Sequence, residues 1–141
     1  MYSEPKASVC LEAYVTLRVF SPRHSCDDIS QRLGLKPTKC GAVTSNSPSK
    51  GWTCWRLDSD GFASSREPEE HVNWLLDRIE PVAAELGKLV SENAKADIVG
   101  FHVSTGKVAP LLDTSQRERL ARLGHELEWW LYSGKPDDYA S

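Results

Sequence analysis

The placement of tryptophan constrains this chain more than any other feature. Four of its five tryptophans fall in two short strand-like stretches, Trp52-Thr53-Cys54-Trp55-Arg56-Leu57 and Leu127-Glu128-Trp129-Trp130-Leu131-Tyr132. Strand side chains alternate between faces, so residues an odd number apart point to opposite sides. Trp52 and Trp55 are three apart, and Trp129 and Trp130 are adjacent. If both stretches belong to one sheet, each puts one indole on each face. A helix layer buries one of those faces. The other holds large aromatics that need a reason to be there.

The remaining elements support such a layered fold. Leu11, Ala13, Val15, Leu17 and Val19 alternate with Glu12, Tyr14, Thr16 and Arg18, the pattern of a half-buried strand over residues 11–20. Ser25 and Asp28 resemble a capping box opening a short helix that Gly34 stops. A weak strand around residues 39–43 and a turn-rich loop precede the first tryptophan strand, 52–58. The strongest helical stripe runs through Val72, Leu75, Leu76, Ile79, Val82, Leu86, Leu89 and Val90, with Pro81 predicting a kink near Glu80. Residues 97–103 read as a strand with Val99, Phe101 and Val103 on its core side. Ser115 and Glu118 suggest the cap of a last helix ending at Gly124, before the final strand at 127–132.

The predicted order, β-α-β-β-α-β-α-β, belongs to an α+β two-layer α/β sandwich: a ferredoxin-like βαββαβ core extended by a C-terminal helix and strand. With 141 residues, 40% apolar and 26% charged, the chain suits one domain over residues 9–134, with polar tails at 1–8 and 135–141.

Several function classes lose ground on composition. A formal charge of −3 gives no general attraction to phosphate backbones, so nucleic acid is not an expected partner. No stretch approaches a membrane span, and residues 1–6 lack the apolar core of a signal peptide, which predicts a cytoplasmic protein. Cys10, Cys26, Cys40 and Cys54 form no C-x-x-C pair, so neither a zinc site drawing on His24 nor a disulfide is expected, and reduced thiols are the default. The four histidines are scattered. His71 and His125 read as solvated, and Ser104-Thr105-Gly106-Lys107 lacks the glycine-rich loop that cradles phosphate. No cofactor, metal site or catalytic constellation is expected, and an enzyme is the less favoured class.

The alternation assigns Tyr14, Thr16, Arg18, Trp52, Cys54, Arg56, Gly100, His102, Glu128, Trp130 and Tyr132 to the face away from the helices. Tyr14, Arg18, Trp52, Arg56, His102, Trp130 and Tyr132 are therefore the candidate binding residues. An exposed aromatic patch with arginines suits a homodimer or partner-protein interface. The alternative is a small-molecule pocket, or a weak enzyme, built around His102, Arg18 and Arg56.

At Trp55-Arg56-Leu57-Asp58-Ser59, His71-x-x-Trp74-Leu75-Leu76 with Pro81, Leu120-x-x-Leu123-Gly124 and Leu131-Tyr132, the chain resembles an uncharacterised bacterial family, domain of unknown function 4279. The resemblance covers about residues 13–132. It implies a small, stand-alone α+β protein with no assigned activity and no catalytic residues to carry over. By analogy with other small bacterial domains, an immunity or antitoxin role would favour a protein partner.

Overall fold

A computed structural model describes residues 9–63 and 67–136. Most of the two polar tails read from the sequence lies outside the described residues. The chain runs β1 (Cys10–Ser21), α1 (Cys26–Leu33), β2 (Lys39–Ala42), β3 (Thr53–Asp58), α2 (Pro68–Ile79), a 3₁₀ turn (Glu80–Val82), α3 (Ala83–Ser91), β4 (Lys95–Ser104), α4 (Thr114–Leu123) and β5 (Leu127–Ser133). The five strands form one mixed sheet in the order β2-β3-β1-β4-β5. β1 is antiparallel to both neighbours, β2 is antiparallel to β3, and β5 lies parallel to β4. The β1-α1-β2 pass thus brackets β3, and the β3-α2-β4 pass brackets β1. The α+β class read from the sequence holds.

Local chemistry sets the helix ends. Ser25 accepts from the Asp28 amide while Asp28 reaches back, and Gly34 closes α1 at φ 64°, a left-handed backbone open to glycine at little cost. Pro68 opens α2, where its missing N–H costs nothing. Pro81 lies inside the 3₁₀ turn, which restarts the stripe as α3. The cap of α4 falls two residues before the expected one: Asp113 accepts from the Gln116 amide, and Gln116 answers. Asp113 prevails over Ser115 because the Gln116 side chain then also reaches α2, donating to the Glu69 carbonyl at 2.9 Å and to Asn73 at 3.1 Å.

Apolar residues of all four helices meet one sheet face. Ile29 and Leu33 from α1, Leu75 and Ile79 from α2, Leu86 and Leu89 from α3 and Leu120 from α4 pack with Val15, Leu17, Val19, Trp55, Leu57 and Ile98. Trp55 is fully buried there, and its indole N–H donates to Ser30 Oγ at 3.0 Å. Trp129 joins the same side, lying over Gly100, where an added Cβ would come within 2.3 Å of the indole ring.

Three expectations are corrected on this covered side. Cys26 and Cys40 form a disulfide between the start of α1 and edge strand β2. Folding brings these two cysteines' Cα atoms to 6.0 Å, although 14 residues of sequence separate them. His71, read as solvated, is buried in α2 with Nδ1 2.7 Å from Ser59 Oγ. In β4 the alternation is inverted: Ile98 pairs with Leu17 and Leu127 on the covered side, so Val99, Phe101 and Val103 point to the other. No helix among the described residues is long and apolar enough to cross a membrane.

Candidate functional site: the helix-free face of the sheet

The face opposite the helices is built from alternate residues of the strands. β1 contributes Tyr14, Thr16, Arg18 and Phe20. Its register partners are Asp58, Arg56 and Cys54 on β3 and Lys95, Asp97, Val99 and Phe101 on β4. Glu128, Trp130 and Tyr132 on β5 complete the face beside Val99, Phe101 and Val103.

Two contact chains organise these side chains. Tyr14 stacks on Phe101 at 4.9 Å between ring centroids, and Phe101 meets Tyr132 at 4.9 Å. The Arg18 guanidinium lies 5.2 Å from the Phe20 ring centroid and 5.4 Å from that of Trp130, within the range of cation–π attraction. Trp52, just before β3, carries the Lys95 ammonium 5.6 Å from its ring. Phe20 and Phe101 belong to this surface although sequence reasoning left them out. Phe20 shares parity with Arg18, a signal available in the alternation.

The charges are compensated within the face. Arg18 and Arg56 stand directly opposite each other across β1 and β3, an arrangement that like charges disfavour. Arg18 makes a two-pronged pair with Asp97, Nε to Oδ1 at 2.8 Å and Nη2 to Oδ2 at 2.6 Å. Asp97's hydrogen bond holds that guanidinium protonated even more firmly than usual. Arg56 Nη2 lies 3.5 Å from Asp58, which also accepts from Thr16 Oγ1 at 2.6 Å. Arg56 Nε is buried with no described acceptor.

This geometry separates binding from proton transfer. Burial pushes the Cys54 thiol above its ordinary pKa, so it stays protonated and weakly nucleophilic at neutral pH. Tyr14 is likewise pushed up, chiefly by burial. His102 is the one candidate that the fold removes. It sits on the covered side opposite Ala13 and Leu131, buried, with Nδ1 2.9 Å from the Val108 carbonyl oxygen. The other six candidates, Tyr14, Arg18, Trp52, Arg56, Trp130 and Tyr132, share the helix-free side.

Concavity on this face is slight. A hollow of about 40 Å³ lies among Tyr14, Arg18, Arg56, Phe101 and Trp130. A broader one of about 300 Å³ runs from Arg18 and Arg56 to Lys39 and Thr44. A roomier groove lies elsewhere, about 550 Å³ between the loop after α1 and α2, lined by Leu35, Lys36, Pro37, Leu57, Phe62, Trp74 and Arg78. There Phe62 stacks on Trp74 at 5.1 Å and the Arg78 guanidinium covers the indole at 3.9 Å. Among the described residues, no group of three or more His, Cys, Asp or Glu side chains is placed to hold a metal ion.

The short motifs now have physical meanings. In Trp55-Arg56-Leu57-Asp58-Ser59, Trp55 and Leu57 enter the core, whereas Arg56 and Asp58 pair on the helix-free side. Ser59 ends the run by accepting from the Val15 amide at 2.9 Å and meeting His71. A family model described as a domain of unknown function, DUF4279, matches residues 11–134, and the chain belongs to that family. No curated protein and no solved structure matches it.

Proposed function

We propose that this member of a family without an assigned activity is a non-catalytic interaction module, and that the helix-free sheet face is its working surface. One observation carries the reading: Trp130 and Tyr132 keep 41% and 46% of their surface exposed on a sheet strand, beside arginines already paired with aspartates. Rigid aromatics lose little conformational freedom on binding, and arginine with aromatics is enriched at protein interfaces. Cations with their own carboxylates have less to offer a free anion than unpaired ones. The shallow hollows and the displacement of His102 also weigh against a pocket at Arg18 and Arg56.

A photo-crosslinking side chain at position 132, with a control at exposed Val90 on α3, tests this in the producing cells. Protein adducts from position 132 and none from position 90 are the expected result. Adducts from position 90 alone would remove the sheet face from consideration.

The 550 Å³ groove supports a second reading, a small amphipathic anion. Its size lies within the usual ligand-pocket range. Leu35, Leu57 and Trp74 would hold the apolar part, while Lys36 and Arg78 face the charge. Quenching of Trp74 fluorescence by aromatic carboxylates, lost in Trp74→Leu, is its expected signature. No quenching across such a panel would dismiss it.

A further inference from the structure

The Cys26–Cys40 disulfide ties down the strand that has the fewest other ties. β2 is an edge strand of four residues, Lys39–Ala42, paired on one side with β3. Flanking main-chain bonds extend that ladder: the Thr38 amide donates to the Arg56 carbonyl and the Val43 amide to that of Trp52, each at 2.7 Å. Side chains add little. Lys39, Gly41 and Ala42 are exposed, and of the four only Cys40 packs against the core.

Charge works against the same strand. Lys39 stands opposite Arg56, which stands opposite Arg18, so three cations line up across β2, β3 and β1. Like charges set directly opposite each other weaken a strand pairing. The covalent tie offsets this. Cys40 pairs with Trp55 and so faces the helices, where it is bonded to Cys26, the first residue of α1. α1 is itself anchored by buried Ile29 and Leu33. Both cysteines are partly exposed, whereas the core around Trp55 is sealed.

We infer that the Cys26–Cys40 disulfide is a redox latch, whose opening by a dithiol reductant releases β2 from the sheet and whose re-formation docks it again. One thiolate of the reductant attacks a sulfur of the bridge and displaces the other; its second thiol then resolves the mixed disulfide. The protein gains two electrons and two protons as two thiols, and the dithiol becomes a disulfide. The bistable element is β2, and its two positions change the helix-free face. Docked, Gly41 lies beside Cys54 and Lys39 beside Arg56. Residues 39 and 41–45 then form one wall of the 300 Å³ hollow that Arg18 and Arg56 share. Released, β2 takes that wall away and uncovers the Cys54 thiol, while the helices keep Trp55 and Leu57 buried. The inference holds whatever the helix-free face binds.

The test is peptide-resolved amide exchange on the whole chain in three states: oxidised, reduced with excess dithiothreitol without denaturant, and reoxidised. Reduction should speed exchange of the β2 amides by at least about tenfold, a local opening, while β1 and β4 stay protected over the same period. Reoxidation should restore the original rates. In the Cys26→Ser/Cys40→Ser variant, iodoacetamide should modify Cys54 at least about tenfold faster than in the oxidised wild type, since a buried thiol is shielded. The reduced wild type decides the question should that variant fail to fold. β2 amides unmoved by reduction, or a bridge that dithiothreitol leaves intact, would overturn the inference. So would β2, β1 and β4 exchanging together, which would make the bridge a staple of the whole fold.

Discussion

The two faces of this sheet use their aromatics differently: the covered one holds Trp55 and Trp129, the helix-free one Tyr14, Phe20, Trp52, Phe101, Trp130 and Tyr132. On the covered face, size varies from Gly100 to Trp129, and the pieces interlock: the indole occupies the space that a Cβ on Gly100 would need. On the helix-free face, aromatics stack side by side and each arginine leans on an aspartate. Fit decides the first face and local compensation the second. Apolar character alone does not tell them apart, since Val99 and Val103 are almost wholly buried on the helix-free side by their neighbours.

Substitutions should therefore damage the two faces unequally. The largest loss belongs to Trp55→Ala, which empties a fully buried indole site and should cost about 3–5 kcal/mol in urea unfolding. Reducing the Cys26–Cys40 disulfide should cost about 3 kcal/mol, the chain-entropy expectation for a loop of this length, and lower the melting temperature in reductant. Gly100→Ala should cost about 1–3 kcal/mol by overpacking against Trp129. A second change, Trp129→Leu, should return part of that loss, and strict additivity would deny the interlock. Trp130→Ser, on the helix-free face, should alter stability by no more than about 0.5 kcal/mol at concentrations too low for association. A large effect there would mean that Trp130 is a core residue.

Three of the five strands, β1, β3 and β5, were legible in their facing, and β4 shows why another was not. In β1, β3 and β5 the core side carries the more apolar alternate set, so parity alone separates Trp55 from Trp52 and Trp129 from Trp130. β2 is too short for such a pattern to matter. In β4 the covered set is Ala96, Ile98, Gly100 and His102, of which only Ile98 is large and apolar, and Trp129 fills the space over Gly100. The more apolar set, Val99, Phe101 and Val103, lies under the aromatics of the helix-free face. A one-residue difference in parity moves every side chain across the sheet. It took His102 out of the candidate site and brought Phe101 in. The disulfide was illegible for another reason: cysteine spacing does not state connectivity, and the pair meets only after α1 and β2 dock. The groove at Trp74 was hidden because Phe62, Lys36 and Arg78 come from three separate segments.

Hydroxyl-radical footprinting compares the candidate surfaces in one measurement. The purified protein at high dilution is set against the same protein at its working concentration in the extract of its own cells. Oxidation of Trp130 and Tyr132 should fall in the extract, while that of Phe62 and Leu111, which are 63% and 89% exposed, should not change. Unchanged reactivity at Trp130 and Tyr132, with Phe62 and Trp74 protected instead, would contradict the assignment of the helix-free face as the working surface.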